Sequence, residues 1–403
     1  MNSKRTLIVL IHCGHPNDYE VAKPKRRSLA EFGFSMVDLS INDPGVVGKL
    51  NALLTERRSE IFCFLSDNYY GAGIRAGEQL LHRLTGIPIV FFLHDHPLYF
   101  LGHQSPALEG GIVFAPGPDL LDFVAKYYPA DTLGVVNSAF SLPPYALGEP
   151  RYEEFVSRKN MLLCPMNLAV GGLTLDGLWR QLKELPSVRR DFALRLTETA
   201  LTDCLTPLHV HAEALARAAG PGRNELVLSD QLLVLNFIKA WRRNAMVREL
   251  IDLPILVSSE YVPADLELKY PQKFTLFTME QTTPLYPQYR FVLNSFPLLT
   301  SALHERVING LYGNSVLVTD PNVTMTEHFA DGRDLVFLEY EKPGMAQKIA
   351  RYIDDPQAAF ALTRANYEQR KRGKWFSIDS YRDLIQAVEL RWAQNAAPAA
   401  IGA

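Results

Sequence analysis

Along the first third of the chain, short and mostly uninterrupted apolar runs alternate with stretches in which apolar residues return every three or four positions. The runs are TLIVLIH, FSMVDL, EIFCFLS, IPIVFFLH, GIVFA and TLGVV; between them lie stretches such as GVVGKLNALLTERR and GAGIRAGEQLLHRLTG. Apolar runs of this kind predict strands covered on both faces, as in a parallel sheet, and the periodic stretches predict the helices that cover them. The pattern predicts a doubly wound, Rossmann-like α/β domain over residues 1–152.

The pattern breaks at SLPPYALGEPRYEEFVSRK, a polar, proline-containing passage that reads as a linker. The strand NMLLCPM follows, then a long helical region from Thr174 to Ile251, interrupted near Pro186 and at AAGPGRNE. A second alternation runs PILVS, FTLFT, RFVLN, the helix LTSALHERVINGLYG, the strand SVLVTD, a TMTEHFADG segment, the strand DLVFL and closing helices. It predicts a second Rossmann-like domain over 158–374. Two open α/β domains in tandem predict an inter-domain cleft at the carboxyl ends of their strands, where such sheets bind ligands. Residues 395–403 are alanine-rich and read as a disordered tail.

A length of 403 residues suits two domains rather than one core. With 47% hydrophobic and 21% charged residues the chain has an ordinary globular composition, and a net charge of -3 leaves no basic footprint for nucleic acid. Cys13, Cys63, Cys164 and Cys204 lack CxxC spacing, and three of them fall in or beside apolar runs, which fits reduced thiols and a cytoplasmic setting. The N-terminal apolar run is far shorter than the roughly 20 residues that cross a bilayer, so it reads as a first strand; any membrane contact is expected to be peripheral.

The densest candidate chemistry lies between Phe291 and Leu338. A strand ends in Asn294-Ser295-Phe296-Pro297, and Thr300-Ser301 reads as the N-capping pair of the next helix, which would aim unpaired N–H groups at an anion. A diphosphate held there needs no metal, and Arg306 would add a planar charged fork. A plain capped helix, with Arg306 paired to a surface carboxylate, fits the same residues. Gly313 closes the helix, and Asp320-Pro321 opens a loop toward Glu327 and Asp331-Gly332.

In the first domain, LHDHPLYF sets His94, Asp95 and His96 at the carboxyl end of an apolar strand. Asp95 or a flanking histidine is placed to take the proton of an acceptor hydroxyl. HCGHP ends the first strand with His12, Gly14 and His15; it is not a GxGxxG fingerprint and implies no dinucleotide. For both segments a helix cap or turn histidine is the competing reading. His94-x-His96 with His12 and His15 raises a zinc site, but no carboxylate or cysteine cluster completes a ligand set and there is no Asp-x-Asp motif, so no metal or other cofactor is expected. SDNYYGAGIRAG, with Ser66 to Tyr70 at a strand end and glycines opening a helix, reads as a ligand loop or a plain turn. The basic runs at Arg370, Lys371, Arg372 and Lys374 and at Lys25 to Arg27 read as solvated faces, with contact to anionic lipid as the alternative reading.

The order LN…HERVINGLYGNSVLVTD…TEHFADGRDLVFLEY…KIARYIDDP resembles the carboxyl-terminal module of bacterial GT-B glycosyltransferases, particularly the CgeB-like group and related family-1-type enzymes. The resemblance covers about 110 residues from Arg290 and, more weakly, FIKAWRRNAMVRELIDLPILV upstream. WFSIDSYRDLI is similar to the helix that returns to the N-terminal domain in that fold, here 375–394. The resemblance implies transfer of a sugar from a nucleotide-sugar donor, held mainly by the second domain, to a protein, glycan or lipid-linked acceptor. Carried over by position, it puts Asn294 at the strand end, His304, Glu305 and Arg306 in the helix motif that follows Ser301, Glu327 in the loop, and Gly171-Gly172 where a donor diphosphate approaches backbone, a plain flexible connection being the alternative for the two glycines. Glu305 or Glu327 would accept from ribose or sugar hydroxyls; for each, a surface-helix glutamate is the alternative. Thr300 and Ile308 stand where retaining enzymes carry two glutamates, which leaves the stereochemistry open. A sugar-nucleotide epimerase or hydrolase, and a non-catalytic binding subunit, are compatible with the same scaffold.

Overall fold

Strands buried on both faces carry little but apolar side chains, and that is how the first sheet is built. In a computed structural model, which describes residues 5–100, 108–128, 132–135, 146–219, 228–296, 300–339, 344–372 and 379–396, the chain divides into two units, Met1–Ser141 with Phe376–Ala403, and Leu142–Trp375. The first unit holds β1 (Leu7–His12), β2 (Ser35–Ser40), β3 (Ile61–Asp67), β4 (Arg75–Ala76), β5 (Gln79–Leu80), β6 (Ile89–Phe92), β7 (Ile112–Ala115) and β8 (Thr132–Val135). Its main sheet is parallel, in the order β2-β1-β3-β6-β7-β8, and β1, β3, β6 and β7 are buried along their whole length. The winding changes direction between β1 and β3.

One face of this sheet, with Ile8, Leu10, Leu65, Val90 and Phe92, packs with Tyr381, Leu384 and Val388 of the helix Asp379–Ala396. The Trp392 indole N–H donates to the Phe62 carbonyl at 2.8 Å, and the Arg5 guanidinium stacks 3.7 Å from the Trp392 ring centre. The last described helix is therefore part of this unit's core. Residues 397–403, in the expected tail, lie outside the described residues.

GAGIRAGEQLLHRLTG, expected as one helix, forms instead a turn, the antiparallel β4–β5 hairpin and a helix of only Leu81–Thr85. Glycine makes a poor helix interior, and Gly77 turns the hairpin at φ +63°, a conformation costly for other residues.

The second unit holds β9 (Lys159–Pro165), β10 (Ile255–Ser258), β11 (Phe274–Thr275), β12 (Tyr289–Asn294), β13 (Val316–Thr319) and β14 (Val336–Phe337). They form a parallel sheet in the order β11-β10-β9-β12-β13-β14, which numbered within the unit is the Rossmann order 3-2-1-4-5-6. Its winding reverses between β9 and β12. Helices Leu175–Glu184, Ser187–Thr202, Leu208–Ala218 and Leu228–Leu250 fill the connection from β9 to β10.

The passage read as a linker is held by this unit from Leu147 onward. Leu147 N–H donates to the Tyr312 carbonyl at 3.1 Å, Arg370 Nη2 to the Leu147 carbonyl at 2.7 Å, and Asn314 Nδ2 to the Gly148 carbonyl at 2.9 Å. The Arg370 guanidinium also lies over the rings of Tyr312 and Tyr367, at 4.5 and 4.8 Å. Arg370 is thus a clamp, not part of a solvated face. Among the described residues no helix is long and apolar enough to cross a membrane.

Candidate functional site

In an open parallel sheet the place where the winding reverses leaves a crevice at the carboxyl edge, because the two flanking connections depart to opposite faces. In the second unit that place is spanned by Arg306. Its Nη1 donates to the Pro165 carbonyl at the end of β9 (3.1 Å) and its Nε to Asn294 Oδ1 at the end of β12 (3.2 Å). Asn294 is fully buried and donates in turn to Thr319 Oγ1 at 3.0 Å. Beside it Arg243, buried on the Leu228–Leu250 helix, donates to the Asn167 carbonyl at 2.8 Å, and Leu168 N–H donates to Ser259 Oγ at 2.9 Å.

His304 registers the field of this cluster. Its Nδ1 lies 3.3 Å from the Arg306 backbone N–H and its Nε2 3.1 Å from Arg306 Nη2; a neutral ring accepts one of these in each tautomer. Burial, then the charges of Arg306, Arg243 and Lys239, hold its pKa well below the ordinary value. Arg306 is thus in contact with an imidazole kept neutral by burial and by the positive charges around the crevice.

The helix begins at Glu305, with His304 as its N-cap, not at Thr300-Ser301. The Thr300 carbonyl accepts from Val323 N–H (2.8 Å), the Ser301 carbonyl from Thr324 Oγ1 (2.8 Å) and the Ala302 carbonyl from Asn322 Nδ2 (2.7 Å). Carbonyls engaged with the segment after β13 cannot serve as the first rungs of a helix. Pro297 lies outside the described residues. Glu305 is half-buried in the first turn, while Glu327 sits exposed in the short helix Val323–His328 rather than in a loop. Asp331 ties its own segment together, accepting from Phe337 N–H at 2.8 Å and from Lys348 Nζ at 2.6 Å. Gly171 and Gly172 form a tight two-residue turn at φ +58° and +75°, closed by hydrogen bonds between Val170 and Leu173, with open space beside both.

In the first unit the reversal between β1 and β3 gathers His12, Cys13, Asp18, Asp67 and Tyr70. The Asp18 carboxylate accepts from the N–H groups of Gly14 (3.0 Å) and His15 (3.1 Å) and from the Cys13 thiol (2.9 Å), so the amides after β1 already hold an anion of the chain's own. Gly14 is required by its φ of +89° and by Ser40, whose Oγ would lie 2.2 Å from a Cβ, not by a ligand. His15 is exposed and His12 buried, its ring edge-on to Tyr19 at 4.8 Å. Burial pushes the Tyr70 hydroxyl up, as do its bond to Cys13 and the charges of Asp18 and Asp95.

The three residues of the HDH segment have separate environments. His96 is buried, accepts from Leu98 N–H at 3.2 Å and packs edge-on against Phe123, which is the geometry of a turn histidine. His94 faces inward, with Nε2 2.7 Å from Lys25 Nζ and 3.1 Å from Asp67 Oδ1; Lys25 and Asp67 are themselves a buried ion pair. Burial would raise the Asp67 carboxyl, but Lys25 and His94 outweigh it and hold it well below the carboxylate range, while burial and Lys25 together lower His94. Asp95 is exposed, and its Oδ2 accepts from Asn68 Nδ2 at 3.1 Å.

Lys25, far from a solvated face, is fully buried, and nothing in the local run announces it. Arg243 and Lys239 also escaped the sequence reading; their spacing of four on a mostly apolar helix was the available signal. Among the described residues no group of three or more His, Cys, Asp or Glu side chains converges as a metal-ligand set.

No known family matches the sequence, and no curated relative matches it. The fold is nevertheless shared: it is the GT-B fold of solved glycosyltransferases, with two parallel-sheet α/β domains. The chain is similar to an alpha-glucosyltransferase (AGT) in complex with UDP, at TM-score 0.53 and 9% identity over 94% of this chain and 99% of that one. It is likewise similar to AviGT4, a glycosyltransferase involved in avilamycin A biosynthesis, at TM-score 0.50 and 10% identity over 96% of this chain and 98% of that one. A glycosyltransferase from Rickettsia africae ESF-5 aligns at TM-score 0.49 and 12% identity over 96% and 99% of the two chains.

Proposed function

We propose that this chain is a glycosyltransferase that moves a sugar from a nucleotide-sugar donor to a hydroxyl acceptor. The observation that carries the reading is the cationic cluster at the winding reversal of the second sheet, where Arg306 spans Pro165 and Asn294 and touches His304, Arg243 holds the Asn167 carbonyl, and the charges of Arg243 and Lys239 reach the same ring. A diphosphate is the ligand such a cluster suits: it brings compensating charge to a partly desolvated group of cations, and its leaving as a nucleoside diphosphate develops more negative charge for them to stabilise. The fold shared with an alpha-glucosyltransferase solved with UDP supports the same reading and makes UDP the first probe.

In the transfer step the acceptor oxygen forms a bond to the anomeric carbon as the bond from that carbon to the diphosphate breaks, the electron pair leaving with the diphosphate. The acceptor proton passes to Asp95, the exposed carboxylate of the HDH segment. His304 stays neutral and hydrogen-bonds Arg306, while the cations neutralise the leaving group without a metal.

Calorimetric titration with UDP, GDP, ADP and CDP, followed by UDP-glucose turnover against a panel of glycan, protein and lipid-linked acceptors, tests the proposal. At least one nucleoside diphosphate binds, more weakly as salt rises. A chain that binds none of the four at low salt is not a glycosyltransferase of this kind.

A further inference from the structure

A residue that is neither glycine nor exposed, yet has a left-handed backbone, is held there by its surroundings. Asn68, directly after β3, is such a residue, with φ +48° and 6% exposure. Its backbone N–H donates to the Phe92 carbonyl at 2.8 Å, joining the ends of β3 and β6. Its side-chain oxygen accepts from two successive amides, His94 N–H at 2.7 Å and Asp95 N–H at 3.2 Å. Two backbone donors facing one atom identify that atom as oxygen, so the amide nitrogen is the group that faces Asp95 Oδ2 at 3.1 Å.

We infer that Asn68 is the positioning residue for the Asp95 carboxylate. It fixes the backbone on which Asp95 stands and occupies one carboxylate oxygen with a neutral donor, so the other oxygen is aimed at an incoming hydroxyl with one rotamer in place of several. On the remaining side the buried Lys25–Asp67 pair holds His94, and the segment is braced from both ends. The inference rests on the reading of Asp95 as proton acceptor.

Two substitutions separate positioning from mere support. Asn68→Asp tolerates the left-handed backbone and keeps an oxygen for both amides, but sets a like charge against Asp95. Asn68→Gly keeps the backbone and deletes the whole side chain. UDP-glucose turnover, UDP affinity and hydrogen exchange at the His94 and Asp95 amides are measured for both. Positioning predicts that Asn68→Asp keeps its protected amides and its UDP affinity while turnover falls about tenfold or more, at least as far as in Asn68→Gly. A purely structural role predicts the reverse order, with Asn68→Asp near wild type, and that result overturns the inference; so does a loss of UDP affinity in either variant. Wild-type turnover in Asp95→Asn is a different failure, one that removes Asp95 as the acceptor of the proton, and a wild-type chain that turns over no donor removes the transferase reading itself.

Discussion

Arg306 reaches from the first turn of its helix to the carbonyl of Pro165, 3.1 Å away, and so ties together the two strands between which the second sheet reverses its winding. The same guanidinium that a ligand would use is thus also a beam of the scaffold. Substitutions there are read correctly only when stability and binding are measured together.

Arg306→Lys keeps the charge but has no planar fork to reach both Pro165 and Asn294. Each lost buried bond costs about 1–3 kcal/mol, so the melting temperature falls by several degrees, and UDP affinity falls about tenfold or more. Differential scanning calorimetry and UDP titration check the two effects. Unchanged UDP affinity in a folded variant would remove Arg306 from donor recognition.

His304 makes UDP binding depend on pH in a defined direction. Its folded-state pKa lies below the ordinary value of 6.5, so as the pH falls through 6.5 the unfolded chain takes up a proton that the folded chain refuses. The stability associated with this group is complete above 6.5 and drains away below it. A diphosphate beside the ring raises that depressed value, so UDP binding at acid pH is accompanied by proton uptake, while near pH 7 the ring stays neutral and the uptake vanishes. Calorimetry in buffers of different ionisation enthalpy measures that uptake. His304→Gln abolishes it; uptake that persists in the variant belongs to another group.

Asp95→Asn lowers turnover of UDP-glucose by more than about tenfold and leaves UDP affinity within twofold, because in the proposed step the side chain takes the acceptor proton and does not touch the donor. Parallel measurement of turnover and of UDP binding decides it.

Lys25→Met strands the Asp67 carboxylate in the core without its partner and costs about 3–5 kcal/mol. The double variant Lys25→Met/Asp67→Leu, which removes both charges, recovers much of that loss. Chemical denaturation of the two singles and the double closes the cycle, and additive losses would show the pair to be uncoupled.

Arg370→Ala loses its stacking on Tyr312 and Tyr367 and two carbonyl contacts. It lowers the melting temperature by several degrees and leaves any association with anionic vesicles unchanged, as flotation of wild type and variant side by side would show. Reduced flotation of the folded variant would return Arg370 to the membrane-facing reading.

The sequence by itself determined the two α/β sheets. A strand sandwiched between helix layers has no polar face, and TLIVLIH, EIFCFLS and SVLVTD carry that fact in their composition. It also put His94 and Asp95 at the end of β6, because a polar segment after such a strand has only the carboxyl edge to occupy. Only the tertiary structure decided the rest. Strand order, and with it the place where the winding reverses, depends on contacts between distant segments. The helix start at Glu305 was set by Asn322, Val323 and Thr324, in the segment after β13, which claimed the carbonyls a helix beginning at Ser301 needs. The burial of Lys25 likewise depended on Asp67, far along the chain, since a charge enters a core only where an opposite charge already waits.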